Sequence, residues 1–172
     1  MNSRIKAISI IIIIVITMAV LIGLIASNLG KKEQRKANNQ YLPNLNLSLT
    51  DSTFINTKTF RYNFTILIFF NSECDYCVYE AGEIRRAIHN LSNINIIFIS
   101  TEDLTLIRKF GEVQDLLQYQ NVYFGQISHT DLSETFGHLS LPHIFIYDSS
   151  QKFIKEFKGE TKVEAILKYV RQ

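Results

Sequence analysis

The chain has no tryptophan, two prolines, two cysteines and seven glycines in 172 residues. Two thiols cannot build the disulfide framework of a small secreted scaffold, and they put an all-cysteine, four-thiolate zinc site out of reach of a single chain. Excess charge is scarce as well: 18 basic residues against 16 acidic ones leave a formal +2, too little to argue for nucleic acid as a partner. The sequence shows no internal repeat and, apart from an isoleucine-rich start, no low-complexity segment. It also lacks a Gly-x-Ser-x-Gly nucleophile elbow, a Gly-rich phosphate loop and a paired-His zinc helix. Apolar residues are plentiful at 47%, enough for one domain plus an appendage.

The appendage comes first. Ala7 to Ala26 is an uncharged run of 20 residues just after Arg4 and Lys6, close to the length a helix needs to cross a hydrocarbon core of about 30 Å. A cleavable signal peptide has an apolar region of about 7 to 15 residues and ends at a small-x-small site. Here the run is longer, Leu24-Ile25-Ala26-Ser27 matches such a site poorly, and no cysteine stands nearby to accept a lipid. The reading is an uncleaved signal-anchor over residues 1-26, spanning the membrane through residues 7-26, then a polar linker over 27-40 and a domain over 41-172. Lys31, Lys32, Arg35 and Lys36 can touch anionic headgroups. Because they outnumber Arg4 and Lys6, the positive-inside rule would keep the domain in the cytoplasm. The short N-terminal tail and its likeness to a signal sequence point the other way. The expectation is a single-pass cell-membrane protein with its domain on the extracytoplasmic, periplasmic side.

In the domain, Leu45, Leu47 and Leu49 alternate with polar residues, Thr50-Asp51-Ser52 can turn and Phe54-Ile55 can return, which predicts a β-hairpin. Phe64 to Phe70 reads as a buried strand. Behind it Cys77, Ala81, Ile84, Ile88 and Leu91 recur at the helical period. A second buried strand runs from Ile94 to Ile99. Ser100-Thr101 then supplies a helix start ahead of Asp103, with Leu104, Ile107 and Phe110 on one face. A short strand lies around Val122-Tyr123-Phe124, and a brief helix through Leu132 and Phe136 precedes Gly137. Ile144 to Tyr147 is a strand, Asp148-Ser149-Ser150 a turn, and Phe153, Ile154 and Phe157 mark the partner strand. A closing helix buries Val163, Ile166, Leu167 and Val170. This order predicts an α/β fold with a mixed central sheet covered by helices on both faces.

The two cysteines form one motif, Cys74-Asp75-Tyr76-Cys77, where the first buried strand becomes a helix. The first turn of a helix offers unpaired backbone N–H groups and the positive end of the dipole, both of which favour negative charge on the Cys74 sulfur. The two-residue gap lets one turn bring the second sulfur within bonding distance. A reversible dithiol/disulfide is the leading reading.

Together with Pro142 about 65 residues downstream and the concluding hairpin and helix, this motif makes the chain from Leu45 to Val170 resemble the thioredoxin fold. Within that fold it resembles the membrane-anchored thiol-disulfide oxidoreductases of the TlpA and ResA group, whose N-terminal hairpin it shares. The resemblance implies that Cys74 attacks a substrate disulfide and that Cys77 resolves the mixed disulfide. It implies a cis Pro142 beside the pair, with the Leu141 backbone and Tyr76, which replaces the usual proline of the motif, as substrate-binding positions. Glu80 matches a glutamate that ResA-like proteins place three residues after the second cysteine. One turn from Cys77, it is either a proton-exchanging group or an exposed helix carboxylate. Thioredoxin's buried aspartate, six positions before the first cysteine, is replaced here by Ile68.

Glu73 and Asp75 flank Cys74 and oppose a thiolate, which points to a reductant. The implied partners are protein thiols and disulfides and an upstream thiol electron donor. No cofactor or metal is implied, the chain is expected to be a monomer, and cytochrome c maturation or general repair of exported cysteines is the allowed task. Two alternatives belong to other classes: copper handling by Cys74 and Cys77 with His129, His138 or His143, and a binding module whose disulfide never turns over. A peroxidase of the peroxiredoxin type would need a threonine three places before the thiol, where Asn71 stands. Arg85 and Arg86 are expected on the solvated face of the helix, available to an acidic partner.

Overall fold

The computed structural model describes residues 3–60 and 64–170, in two compact units, Met1–Ala37 and Asn38–Gln172. The first unit is built from α1 (Ser3–Asn38). Its apolar side chains are exposed all round, with Ile10, Ile14, Leu21 and Ile25 each more than half accessible, a pattern suited to a hydrocarbon surrounding rather than to water. Among the described residues, Ile10–Asn38 is the one helix long and apolar enough to cross a membrane. The polar stretch after residue 26 does not break the helix. Lys31 to Ala37 contains helix formers and no proline, so the backbone bonds continue to Asn38.

Among the described residues, the second unit holds a seven-stranded sheet and four α-helices. Its strands are β1 (Asn46–Leu49), β2 (Phe54–Asn56), β3 (Phe64–Phe69), β4 (Ile94–Ser100), β5 (Val122–Gln126), β6 (His143–Tyr147) and β7 (Phe153–Lys158). In space they run β2-β1-β5-β4-β3-β6-β7. The central three are parallel, as their helical crossovers require, and the remaining pairs are antiparallel. The helices are α2 (Asp75–Arg86), α3 (Leu104–Val113), α4 (His129–Thr135) and α5 (Val163–Val170). Every residue of β3, β4 and β6 is buried, which is why these strands read as unbroken apolar runs rather than as alternating ones.

Two core clusters follow from the pleat. On one face Ile66, Ile68, Ile96 and Phe98 pack with Ala81 and Ile84 of α2, Ile107 and Phe110 of α3, and Ile166 of α5. On the other, Leu67, Phe69, Ile97, Ile99 and Phe145 pack with Leu42, Leu45, Leu47, Leu49 and Phe60 from the N-terminal segment and, at the margin, with Leu132 and Phe136. The mixed α/β sheet expected from the sequence is thus present.

Local departures have local causes. The helical period from Cys77 to Leu91 is split, because Ala87 (φ −98°, ψ 6°) leaves the helical region and Ile88–Leu91 continues as a 3₁₀ turn. Asp103, not Ser100 or Thr101, is the residue from which α3 starts. The Ser100 hydroxyl is drawn instead to the Glu102 carboxylate, at 3.0 Å. At the sheet edge that matters most, Phe69 is registered with Ile99 of β4 and with His143 of β6. The chain leaving β3, the chain leaving β4 and the chain entering β6 therefore meet at one end of the sheet.

Candidate active site

Strand β3 ends against β4, and the next residues turn into α2 with Cys74 as its N-cap (φ −88°, ψ 112°). The Cys74 carbonyl accepts from the N–H groups of Cys77 at 2.9 Å and Val78 at 3.0 Å, and its own N–H donates to the Asn71 carbonyl at 3.2 Å. The Cys74 side chain makes no capping hydrogen bond to the helix, so no side-chain oxygen of the N-cap residue competes for the N–H groups of the first turn. Both cysteines are free thiols. Cys74 is half-buried and Cys77 is 1% exposed. Burial pushes the Cys77 thiol up, and a hydrogen bond from the Cys74 side chain pushes the same way. The outer thiol is thus accessible and the inner one is protected.

Glu80 is fully buried. One oxygen, Oε2, accepts the Thr161 N–H at 2.8 Å, and Oε1 is buried without a hydrogen-bond partner. Burial raises its carboxyl from 4.5 to about 7; the Thr161 bond works against that rise and the Glu160 charge adds to it. The exposed-carboxylate alternative for Glu80 is therefore excluded by its position. Glu83, also buried, faces the Val163 N–H at 3.5 Å and pairs with Arg86. Arg85 is bound to Asp115 at 2.6 Å and lies over the Tyr119 ring, 5.2 Å from its centroid. The two arginines expected on a solvated face are at the surface, but each is already engaged by an acid of this chain.

The Leu141–Pro142 bond is cis. Pro142 is buried and its carbonyl accepts the Gly159 N–H at 2.8 Å. Leu141 packs against both core clusters, and Cys74 packs against the first of them. Tyr76 projects from the first turn of α2 with 61% of its surface exposed.

Of the histidines, His143 is committed elsewhere. Its Nε2 lies 2.6 Å from Glu156 Oε1 and its ring stacks on Phe145 at 4.7 Å. Burial lowers its pKa, with Glu156 opposing. His129 and His138 are exposed. Among the described residues, no three His, Cys, Asp or Glu side chains stand together as a metal-holding group.

The sequence reading missed Glu102. Its carboxylate takes the Ser72 N–H at 2.7 Å on Oε2 and the Ser72 hydroxyl at 2.6 Å on Oε1. Ser-Thr-Glu-Asp after a strand reads locally as a helix start, so nothing in its spacing announces a contact 30 residues back.

No family model matches the chain, and no curated protein matches it in sequence. Solved structures do match. The thioredoxin domain of thiol-disulfide oxidoreductase BVU-2223 from Bacteroides vulgatus aligns with a TM-score of 0.63 at 15% identity, over 77% of this chain and 97% of that one. StoA from Bacillus subtilis aligns with a TM-score of 0.61 at 13% identity, over 77% and 99%. The exposed lipoprotein thioredoxin Etrx1 from Streptococcus pneumoniae aligns with a TM-score of 0.56 at 17% identity, over 73% and 98%. Nearly the whole of each neighbour is covered at identities this low, so what the likeness establishes is architecture: the second unit has the thioredoxin-like fold.

Proposed function

We propose that this chain is a membrane-anchored thiol-disulfide oxidoreductase that reduces disulfides of exported proteins through Cys74 and Cys77. The observation that carries the reading is the pairing of an accessible thiol at the mouth of α2 with a buried thiol one turn on, backed by a buried carboxylate that has one oxygen to spare. The three solved structures, two described as a thiol-disulfide oxidoreductase or a thioredoxin, lend the same reading their fold.

In the proposed cycle the Cys74 thiolate attacks one sulfur of the substrate disulfide. A mixed disulfide forms and the first substrate thiolate leaves. The Cys77 thiol passes its proton to Glu80, directly or through a water, and its sulfur attacks Cys74 Sγ. The second substrate thiolate departs, the Cys74–Cys77 disulfide is left behind, and two electrons have moved to the substrate. A carboxyl near 7 suits this exchange, since it can take or return a proton close to neutral pH. Tyr76 and the Leu141 backbone are the proposed contacts for the substrate chain. A dithiol donor resets the pair.

The direction of electron flow rests on the electrostatics. Glu73 and Asp75 are exposed on either side of Cys74, and burial disfavours the Cys77 thiolate. With ionisation of the inner thiol disfavoured, the dithiol gains less from forming thiolate, the disulfide holds the advantage, and the couple is reducing. A measured potential of about −120 mV, the range of strong periplasmic oxidants, would overturn this direction. α1 supplies the anchor, and an extracytoplasmic domain agrees with the exposed lipoprotein thioredoxin among the neighbours.

The test is mixed-disulfide trapping with Cys77→Ser. Protein partners should accumulate on Cys74 in the variant and be released by dithiothreitol, and a chain that traps nothing is a binding module instead. Labelling the thiols with a membrane-impermeant reagent in intact and lysed cells fixes the side of the membrane. Modification only after lysis would place the domain in the cytoplasm.

A further inference from the structure

The segment that delivers Cys74 has few apolar contacts of its own. Between Phe70, whose N–H still pairs with the Ile99 carbonyl at 3.0 Å, and the helix lie Asn71, Ser72 and Glu73, polar and at least partly exposed. Within the loop, Asn71 Oδ1 accepts the Glu73 N–H at 3.0 Å and the Asn71 carbonyl accepts the Cys74 N–H at 3.2 Å. From outside it, the Glu102 carboxylate grips Ser72 by both its backbone N–H and its hydroxyl, at 2.7 and 2.6 Å.

Glu102 is itself fixed from two strands. Oε2 also accepts the Ser100 hydroxyl at 3.0 Å, the Glu102 N–H donates to Ser100 Oγ at 3.2 Å, and its carbonyl accepts Gln126 Nε2 at 2.9 Å. A continuous path of hydrogen bonds thus runs from the ends of β4 and β5 to the loop in front of the reactive thiol. Three donors converge on one side chain, whose two oxygens accept all of them.

We infer that Glu102 is a positioning residue for Cys74, setting how readily the dithiol closes to the disulfide. The inference rests on the exchange reading above. Its physical basis is an asymmetry between the redox states. In the disulfide, Cys74 is pinned covalently to Cys77, whereas in the dithiol only the loop's hydrogen bonds hold it at the helix mouth. Releasing the clamp gives conformational freedom to the dithiol that the disulfide cannot share. The equilibrium then moves toward the dithiol. Gln at this position can still accept the Ser72 N–H and donate to its hydroxyl, so it preserves much of the clamp; Ala preserves none.

The experiment equilibrates the full chain in detergent micelles with glutathione buffers and reads the Cys74–Cys77 redox state by thiol alkylation. For Glu102→Ala the dithiol/disulfide ratio at a given buffer should rise about tenfold, equivalent to about 30 mV for this two-electron couple. Ser72→Ala should shift it in the same direction, the double variant should add little to Glu102→Ala, and Glu102→Gln should stay within about threefold of wild type. Circular dichroism of each variant reports folding, and Ser72→Ala with Glu102→Gln carries the test if Glu102→Ala does not fold. A purely structural clamp would weaken both redox states alike. Wild-type ratios in Glu102→Ala and Ser72→Ala would therefore overturn the inference and leave the exchange reading intact. A wild-type chain that never equilibrates with glutathione would remove the exchange reading and this inference with it.

Discussion

The buried carboxyl of Glu80 makes a quantitative demand on stability. Its rise from 4.5 to about 7 means that the folded protein retains a proton which the unfolded chain gives up across that interval. Stability is therefore greatest at or below the unfolded value and falls as pH rises through the folded one, levelling off above it. A rise of this size corresponds to about 3 kcal/mol. Glu80→Gln is neutral at every pH and keeps an acceptor for the Thr161 N–H. Its amide group would occupy the place where Oε1 has no partner, at a cost that does not change with pH. The useful quantity is thus the difference between the two unfolding free energies as a function of pH. Residues 38–172, which carry both core clusters, would be unfolded in urea under reducing conditions and followed by circular dichroism. From pH 4.5 to about pH 8 the wild type should lose about 3 kcal/mol relative to Glu80→Gln, with most of the loss complete by about pH 7. A difference that stays flat within about 0.5 kcal/mol would show that Glu80 titrates as an ordinary carboxylate, and its proposed part in proton exchange would fall with it.

Other regions answer to simpler measurements. His143, whose pKa burial lowers below 6.5, stays neutral in the fold while the unfolded chain takes up a proton. Stability is thus present above the unfolded value and lost as pH falls through the depressed one. His143→Gln should flatten that acid limb, and unchanged curvature below about pH 6.5 would contradict the assignment. Gly125 of β5 lies against β1, where an added Cβ would stand 3.0 Å from Leu47 Cβ and 3.2 Å from Leu49 Cδ2. Gly125→Ala should therefore cost about 1–3 kcal/mol, since the nearer atom is tied to backbone and the strand must shift. Leu67, fully buried at the centre of the sheet, should cost about 2–5 kcal/mol on replacement by Ala in the same urea assay.

The fold was largely legible because its strongest signals are long or periodic. The runs Phe64–Phe69 and Ile94–Ser100 are buried on both faces, so they announce central parallel strands without needing partners to be known. The stripe at Val163, Ile166, Leu167 and Val170 is likewise the buried face of α5. What stayed hidden depends on contacts distant in sequence. The helical character of residues 27–38 was masked because a polar helix has no apolar period to display. The break at Ala87 preserved the spacing of Ile88 and Leu91, so periodicity alone read through it. Glu80 could be placed one turn from Cys77, but the N–H that its buried carboxylate accepts belongs to Thr161, 81 residues away.

The same distinction separates motif from machinery at the thiol pair. Cys74-x-x-Cys77 specifies which atoms can join, and any helix start would present them. The contacts around the pair arrive from other crossovers: Glu102, after β4, reaches the loop ahead of α2 through Ser72, and Thr161, before α5, reaches Glu80 on α2 itself. Glu102 acts on the accessible thiol through Ser72, whereas Thr161 acts on the carboxylate behind the buried one, and the two paths share no hydrogen bond. Perturbing one should therefore leave the other's readout in place: loss of the Glu102 clamp shifts the redox equilibrium without moving the pH at which Glu80 titrates. The two paths meet only at the Cys74–Cys77 pair. The redox shift of Glu102→Ala and the pH signature of Glu80→Gln, read in separate assays, should therefore each persist in the double variant, with any departure from additivity measuring the coupling through that pair.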